Sequence, residues 1–264
     1  MNLIYEGEFE RNILHWYPVK KDSSVLQIGN ISIELIRELC IKFQKVTLIV
    51  DEENQKQEIS KDVNIGNLNV QVVQNLNNYS AEQYDYISLI GTLEVYNHCG
   101  EEKAYKKLEK ILDFSKQHCK ESGKILLAVN NKYGMKSWTT LRADKNIICN
   151  QTYSLSKTLI DKLLKEKNLR EYKYYYILPD YKAANVIFTD KYLPNLENVN
   201  RNFLYGEEKF ENFNQTEAYI ELLKENPQSF KFFANSFFVE IAKNKLEENR
   251  NKICVIYKYS KRRI

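Results

Sequence analysis

Residues 24–52 read SVLQIGNISIELIRELCIKFQKVTLIVDE, and the period of their apolar positions changes twice. SVLQIG from Ser24 is a short apolar run closed by glycine, as expected of a buried strand. Ile33 to Phe43 then places apolar residues at helical spacing, and KVTLIV from Lys45 returns to a strand-like run ending at Asp51 and Glu52. Strand, helix and strand in immediate succession form a parallel βαβ unit.

The alternation continues outward. NVQVV from Asn69, YDYISLIG from Tyr84 and GKILLAV from Gly123 read as further buried strands. Glu101 to Cys119 is a helix with Leu108, Ile111, Leu112 and Ser115 on one face. Right-handed crossovers put helices on both faces of such a sheet, and a small-molecule site falls in the crevice at the strands' carboxyl ends. The residues there are Gly29 to Ile33, Asp51 with Glu52, Gly91 to Glu94, and Asn130 to Tyr133.

Beyond this unit the pattern loosens. Ser154 to Asn168 reads as a helix with Ser154 as N-cap, and Glu171 to Leu178 as an aromatic strand carrying Tyr172, Tyr174, Tyr175 and Tyr176. Alternating tyrosines on a strand serve a core more often than base stacking. Pro179 to Asn235 is rich in Asn, Tyr and Phe and lacks a clear period, which predicts a lid or irregular cap. SFFVEIAKN from Ser236 and KICVIYKYS from Lys252 read as closing strands, the first completing the sheet. The expected organisation is thus a domain over 1–178, a lid or cap over 179–235 and closing strands over 236–264. A sequence that stops directly after its last strand is compatible with a module of a longer protein.

Composition removes several classes. With 43% hydrophobic and 28% charged residues the chain is of ordinary globular make-up. Its net charge of +4 comes from 39 basic and 35 acidic residues scattered along the chain, poor support for a nucleic-acid binder. Only Lys258, Lys261, Arg262 and Arg263 cluster, which reads as a solvated end rather than a phosphate or membrane contact, since short charge runs are usually solvated. No apolar run approaches the roughly 18 residues that span a bilayer, and MNLIYEGEFER lacks a signal-peptide core, so a cytoplasmic protein is expected. The five cysteines, Cys40, Cys99, Cys119, Cys149 and Cys254, form no CxxC pair; neither a disulfide framework nor a metal site is indicated. His98 beside Cys99 makes a poor nucleophile–base pair, because sequence neighbours point apart.

Several segments together resemble the class I S-adenosylmethionine (SAM) methyltransferases, and most closely a branch associated with bacterial surface-polysaccharide glycosyltransferases. They are ERNILHWYPVKKDSSVLQIG from Glu10, DYISLIGTLEVY from Asp85, SGKILLAVNNKYGMK from Ser122, YYYILPDYK from Tyr174, IFTDKYLP from Ile187, FANSFFVE from Phe233 and YKYSKR from Tyr257. The resemblance implies an α/β fold: a Rossmann-like, mostly parallel sheet of seven strands with helices on both faces and an irregular C-terminal cap. It also implies SAM over the loop after the first strand, with Gln27, Gly29, Asn30, Ile31, Asp51, Gly91 and Thr92 as cofactor-binding positions and Glu94 as the catalytic candidate.

The chain departs from the family at that loop. Gln27 replaces an acidic residue, and Ile31 and Ile33 stand where two glycines belong. A β-branched residue tolerates positive φ poorly and occupies space a cofactor needs. Val50 sits where a ribose-binding carboxylate is expected, with Asp51 one position late, and the span Thr139 to Thr152 is shorter than in the relatives. Two readings follow. One is a non-catalytic or altered methyltransferase-like module with no cofactor in the usual pose, binding a protein partner such as a glycosyltransferase. The other is an active SAM-dependent methyltransferase acting on a sugar or other small-molecule acceptor. A nucleic-acid methyltransferase fits worse, since GTLEVY after the fourth strand offers no stacking pocket.

Overall fold

The computed structural model describes residues 9–29, 31–63, 65–80, 82–93, 101–135, 154–195, 215–246 and 255–256. The strands are β1 (Ser24–Ile28), β2 (Lys45–Val50), β3 (Leu68–Val72), β4 (Tyr84–Leu89), β5 (Cys119–Asn131), β6 (Ser154–Leu155), β7 (Glu171–Leu178), β8 (Val186–Thr189), β9 (Ser236–Ala242) and β10 (Val255–Ile256). The helices are α1 (Asn12–His15), α2 (Ile33–Lys42), α3 (Glu53–Asp62), α4 (Glu101–His118), α5 (Lys157–Glu166), α6 (Gln215–Glu225) and α7 (Phe230–Phe233).

All ten strands join one sheet in the order β10-β8-β7-β9-β5-β4-β1-β2-β3, with β6 paired to β5. The expected α/β fold is present, with β1 in the interior between β4 and β2. One detail is corrected: the described sheet has ten strands rather than seven. Its pairs from β3 to β5, and β5 with β6, are parallel, and β9, β7, β8 and β10 continue it through antiparallel pairs. β9 inserts between β5 and β7, pairing with both.

Side-chain alternation divides the interior into two cores, one on each face of the sheet. Leu26, Ile87, Leu127, Tyr176 and Val239 meet α4 and α5 through Leu108, Ile111, Leu112, Ile160 and Leu163. Val25, Tyr86, Leu126, Tyr175 and Phe238 meet α1 and α2 through Ile13, Leu14, Leu35, Ile36 and Leu39. Consecutive tyrosines of β7 thus fall on opposite faces, and Tyr174, Tyr175 and Tyr176 are all buried.

Local signals set the helix starts. Ser32 Oγ accepts from the Leu35 amide at the head of α2, and Ser156 Oγ from the Leu159 amide at the head of α5. Ser154 is therefore not the cap that the sequence suggested; with Leu155 it makes the short strand β6 against Asn130 and Asn131. Within 179–235, β8 belongs to the sheet, a 3-10 turn over Tyr181–Ala183 packs near α1, and α6 and α7 follow. Residues 196–214 of that stretch lie outside the described residues, as do His98, Cys99, Cys149, Cys254 and the basic tail.

One buried polar cluster ties the parallel and antiparallel halves together. Glu240 on β9, 2% exposed, accepts from Lys124 Nζ on β5 at 2.7 Å, Tyr17 Oη at 2.8 Å and Tyr175 Oη on β7 at 3.0 Å. Burial raises the Glu240 carboxyl, but Lys124 and the two hydroxyls outweigh it and hold the group below its usual 4.5. A depressed folded-state value means a contribution present above the unfolded-state value and lost as pH falls through the folded one. Glu240→Ala should cost about 3–5 kcal/mol at neutral pH by chemical denaturation, because it strands a buried ammonium. The gap to wild type should narrow as pH drops below about 4; a pH-independent gap would mean that the charge does not matter.

Candidate functional site

The carboxyl ends of β1 and β4 meet at close range, and glycine is what permits it. Gly29 has φ +113°, and a Cβ there would lie 2.6 Å from the Thr92 backbone. Gly91 also adopts positive φ, at +70°. Gly29→Ala should therefore cost about 2–4 kcal/mol in strain and overlap. Gly66→Ala, where a Cβ meets nothing within 4 Å, should stay within about 0.5 kcal/mol. Equal denaturation midpoints for the two variants would contradict the close approach.

Side chains then engage the carbonyls of this junction. Thr92 Oγ1 donates to Ile28 O at 2.6 Å. Gln27, fully buried, donates through Nε2 to Ile28 O at 3.0 Å and to Ile90 O at 2.8 Å. Its Oε1 is buried without a hydrogen-bond partner. The amide at the acidic position of the family pattern thus acts as a donor joining β1 to β4, which a carboxylate cannot do. On the neighbouring side, Glu10 Oε2 accepts from the Ser32 amide at 2.7 Å, next to the start of α2. Burial raises the Glu10 carboxyl, while the bonds from Ser32 and the charge of Lys182 pull the other way.

Beside this junction, at the carboxyl ends of β1, β2 and β3, opens a cleft of about 430 Å³. Ile28, Gly29, Ile31, Asp51 and Thr92 line it, together with Gln55 of α3 and Leu76 after β3. Lys107, Lys110, Ile111 and Phe114 of α4 form a further wall. Ile31 and Ile33, the latter the first residue of α2, are both half-buried and both pack against the core on the α2 side of the sheet; of the two, Ile31 also lines the cleft. Asp51 is exposed on the rim, its amide donating to Gln55 Oε1 at 3.3 Å. Glu52 stands at the N-cap of α3 without a side-chain capping bond.

Of the sequence-derived candidates, Gly29, Ile31, Asp51 and Thr92 line this crevice, Gln27 and Gly91 belong to the adjoining β1–β4 junction, and Asn30 and Glu94 lie outside the described residues. Asn131 serves architecture: its amide group donates to Phe232 O and Ala234 O, holding α7 at the end of β5. Sequence reading missed Lys107. Burial pulls its ammonium down to about 8, with the Asp51 carboxylate partly opposing the shift. The only signal in the sequence is that 107, 110, 111 and 114 share a helix face next to the core-facing one. Cys40 and Cys119 are buried free thiols, pushed up to about 11 and about 12 by burial, which makes them poor nucleophiles. Among the described residues no three His, Cys, Asp or Glu side chains are placed to hold a metal ion.

The crevice can be compared with what SAM requires. Its adenosine needs an apolar slot with polar groups for the ribose, which the cleft beside Asp51 provides. Its amino-acid end needs acceptors for an ammonium and donors for a carboxylate. At the β1–β4 junction the acceptors Ile28 O and Ile90 O are engaged by Thr92 and Gln27, and the Ser32 donor is engaged by Glu10. Among the described residues the cleft suits the nucleoside, while the junction carbonyls of Ile28 and Ile90 already receive side-chain donors.

No family model matches the chain, and no curated protein matches it. Solved structures do. A SAM-dependent methyltransferase from Archaeoglobus fulgidus aligns at TM-score 0.51 with 16% identity, over 90% of this chain and 97% of the other. A SAM-dependent methyltransferase from Thermotoga maritima, a possible histamine N-methyltransferase, aligns at 0.51 with 10% identity, over 89% and 88%. A methyltransferase of Haloferax volcanii, solved in complex with the Trm112 activator, aligns at 0.52 with 14% identity, over 90% and 91%. At such identities the likeness is one of fold, and the chain has the fold of the SAM-dependent methyltransferases.

Proposed function

We propose that this chain is a methyltransferase-like protein of bacterial glycan or surface-modification pathways whose SAM binding is lost or altered. It acts as a cytoplasmic, partner-binding module, with a glycosyltransferase as the class of partner. One observation carries the reading: Thr92 and Gln27 together engage the carbonyls of Ile28 and Ile90 at the β1–β4 junction, which leaves them fewer acceptor positions for a ligand there. Glu10 at Ser32 and the Ile31 side chain on the cleft support it. No helix among the described residues is long and apolar enough to cross a membrane. The neighbour from Haloferax volcanii was solved in complex with the Trm112 methyltransferase activator. The segment 179–235 is proposed to cover the crevice, since Asn131 holds Phe232 and Ala234 at the carboxyl end of β5.

The second reading, an active methyltransferase on a sugar or small-molecule acceptor, draws on the retained Gly29, Gly91 and Thr92 and on Asp51 at the open cleft. Thermal-shift assays separate the two. Wild type should show no shift with millimolar SAM, because a ligand confined to the folded state stabilises by RT ln(1 + [L]/Kd). Ile31→Gly combined with Thr92→Ala should free space and one acceptor position on the Ile28 carbonyl, which keeps its bond from Gln27, and create a shift. Ile33→Gly should add nothing but lost packing. Micromolar binding by wild type would return the protein to the working enzymes, with Asp51→Ala and Glu94→Ala as probes of affinity and turnover.

A further inference from the structure

β3 ends the sheet: β2 lies on one side of it, and no described strand lies on the other. The bonds that flank it, Val46 N–H to Asn67 O and Val73 N–H to Val50 O, engage odd-numbered residues of this segment. Backbone direction alternates along a strand, so Leu68, Val70 and Val72 turn their N–H and C=O groups to the free edge. Such an edge is a template for another strand, and proteins usually blunt it with charge, proline or a bulge.

None of these devices is present at β3. From Val63 to Ala81 the sequence holds no charged residue and no proline, although 28% of the chain is charged. The pairing with β2 runs in unbroken register from Leu68 to Val72. The opposite edge strand, β10, differs, since Lys252 and Lys258 flank it in sequence. Cover from the side is also thin. α3, which packs beside β3, buries none of its residues, and Leu68, Val70 and Val72 are only half-buried against the α2-side core.

The strand itself specifies what fits this edge. LNVQV has the same pattern in both directions: apolar, amide, Val, amide, apolar. A second copy laid antiparallel about a two-fold axis at Val70 sets Leu68 against Val72, Val70 against Val70 and Asn69 against Gln71. Leu68, Val70 and Val72 then meet as hydrogen-bonded pairs through the groups that face outward, while the amide side chains pair on the other face. An axis placed between two residues would instead oppose outward-facing groups with inward-facing ones. The uncharged edge also lets two copies, each of net charge +4, meet without local repulsion.

We propose that β3 is a homodimer interface, at which two copies of this chain join their sheets edge to edge through an antiparallel β3 pair. The two-fold makes the contact self-complementary and closed, so that no free edge is left at that end. The interface is independent of whether SAM binds.

Sedimentation velocity of the full chain tests it. Wild type should sediment with twice the 31.3 kDa mass of one chain and dissociate on dilution. Asn69→Lys with Gln71→Lys places like charges opposite each other across the axis and should weaken the dimer about tenfold. Asn69→Lys with Gln71→Glu places opposite charges there and should restore wild-type affinity. Both variants alter the face of β3 turned away from the α2-side core, so their far-UV circular dichroism should match wild type. In unmodified protein the outward amides of Leu68, Val70 and Val72 should exchange slowly with solvent when concentrated and faster on dilution. A monomer at every concentration, a dimer indifferent to the two lysines, equal loss in both variants, or open-ended aggregates would each overturn the pairing. Rapid exchange of all three amides in the dimer would overturn it as well.

Discussion

The carbonyl oxygen of Ile28 receives two side-chain donors, Thr92 Oγ1 and Gln27 Nε2, and much of the functional region follows from that convergence. It requires the β1 and β4 loops to touch, which requires Gly29 at φ +113° with no Cβ against Thr92. It also uses an amide at position 27 as donor to two strands at once. A buried hydroxyl–carbonyl bond contributes only about 1 kcal/mol net, yet leaving such a carbonyl unpaired costs more, so the junction resists opening. The crevice of the fold is thereby divided into a closed part at β1–β4 and an open part at β2–β3.

The two faces of the sheet divide the other tasks. On one face, Glu240 with Lys124, Tyr17 and Tyr175 joins β5, β9 and β7 to the segment before β1, so the antiparallel extension is bonded into the parallel core. On the other, α4 packs its apolar stripe into the core and presents Lys107 and Lys110 to the cleft. One helix thus contributes both to stability and to the charge of the site.

The parallel half was legible in the sequence because each element carries its own period. β1 to β5, α2 and α4 all fall where alternation of strand and helix spacing puts them. The antiparallel half was less so. β8 is only VIFT within a stretch rich in Asn and aromatics, and a four-residue strand leaves too short a period to read. The insertion of β9 between β5 and β7 is a fact of tertiary pairing that no local pattern encodes. At the site, Gly29, Ile31, Asp51 and Thr92 were legible from their places at the carboxyl ends of strands and again through likeness to a family motif, both of which record position and not bonding. That Gln27 would serve as a two-strand donor, that Ile33 would turn to the core, and that Glu10 would reach Ser32 depend on distances across 22 to 64 residues of chain.

The closed junction is tested most directly by a crystal structure of the wild-type protein grown with saturating SAM. The account predicts that Thr92 Oγ1 stays on Ile28 O and Gln27 Nε2 on Ile90 O, with no amino-acid end of the cofactor between β1 and β4. A SAM molecule whose ammonium sits on those carbonyls, with Thr92 and Gln27 rotated away, would contradict it.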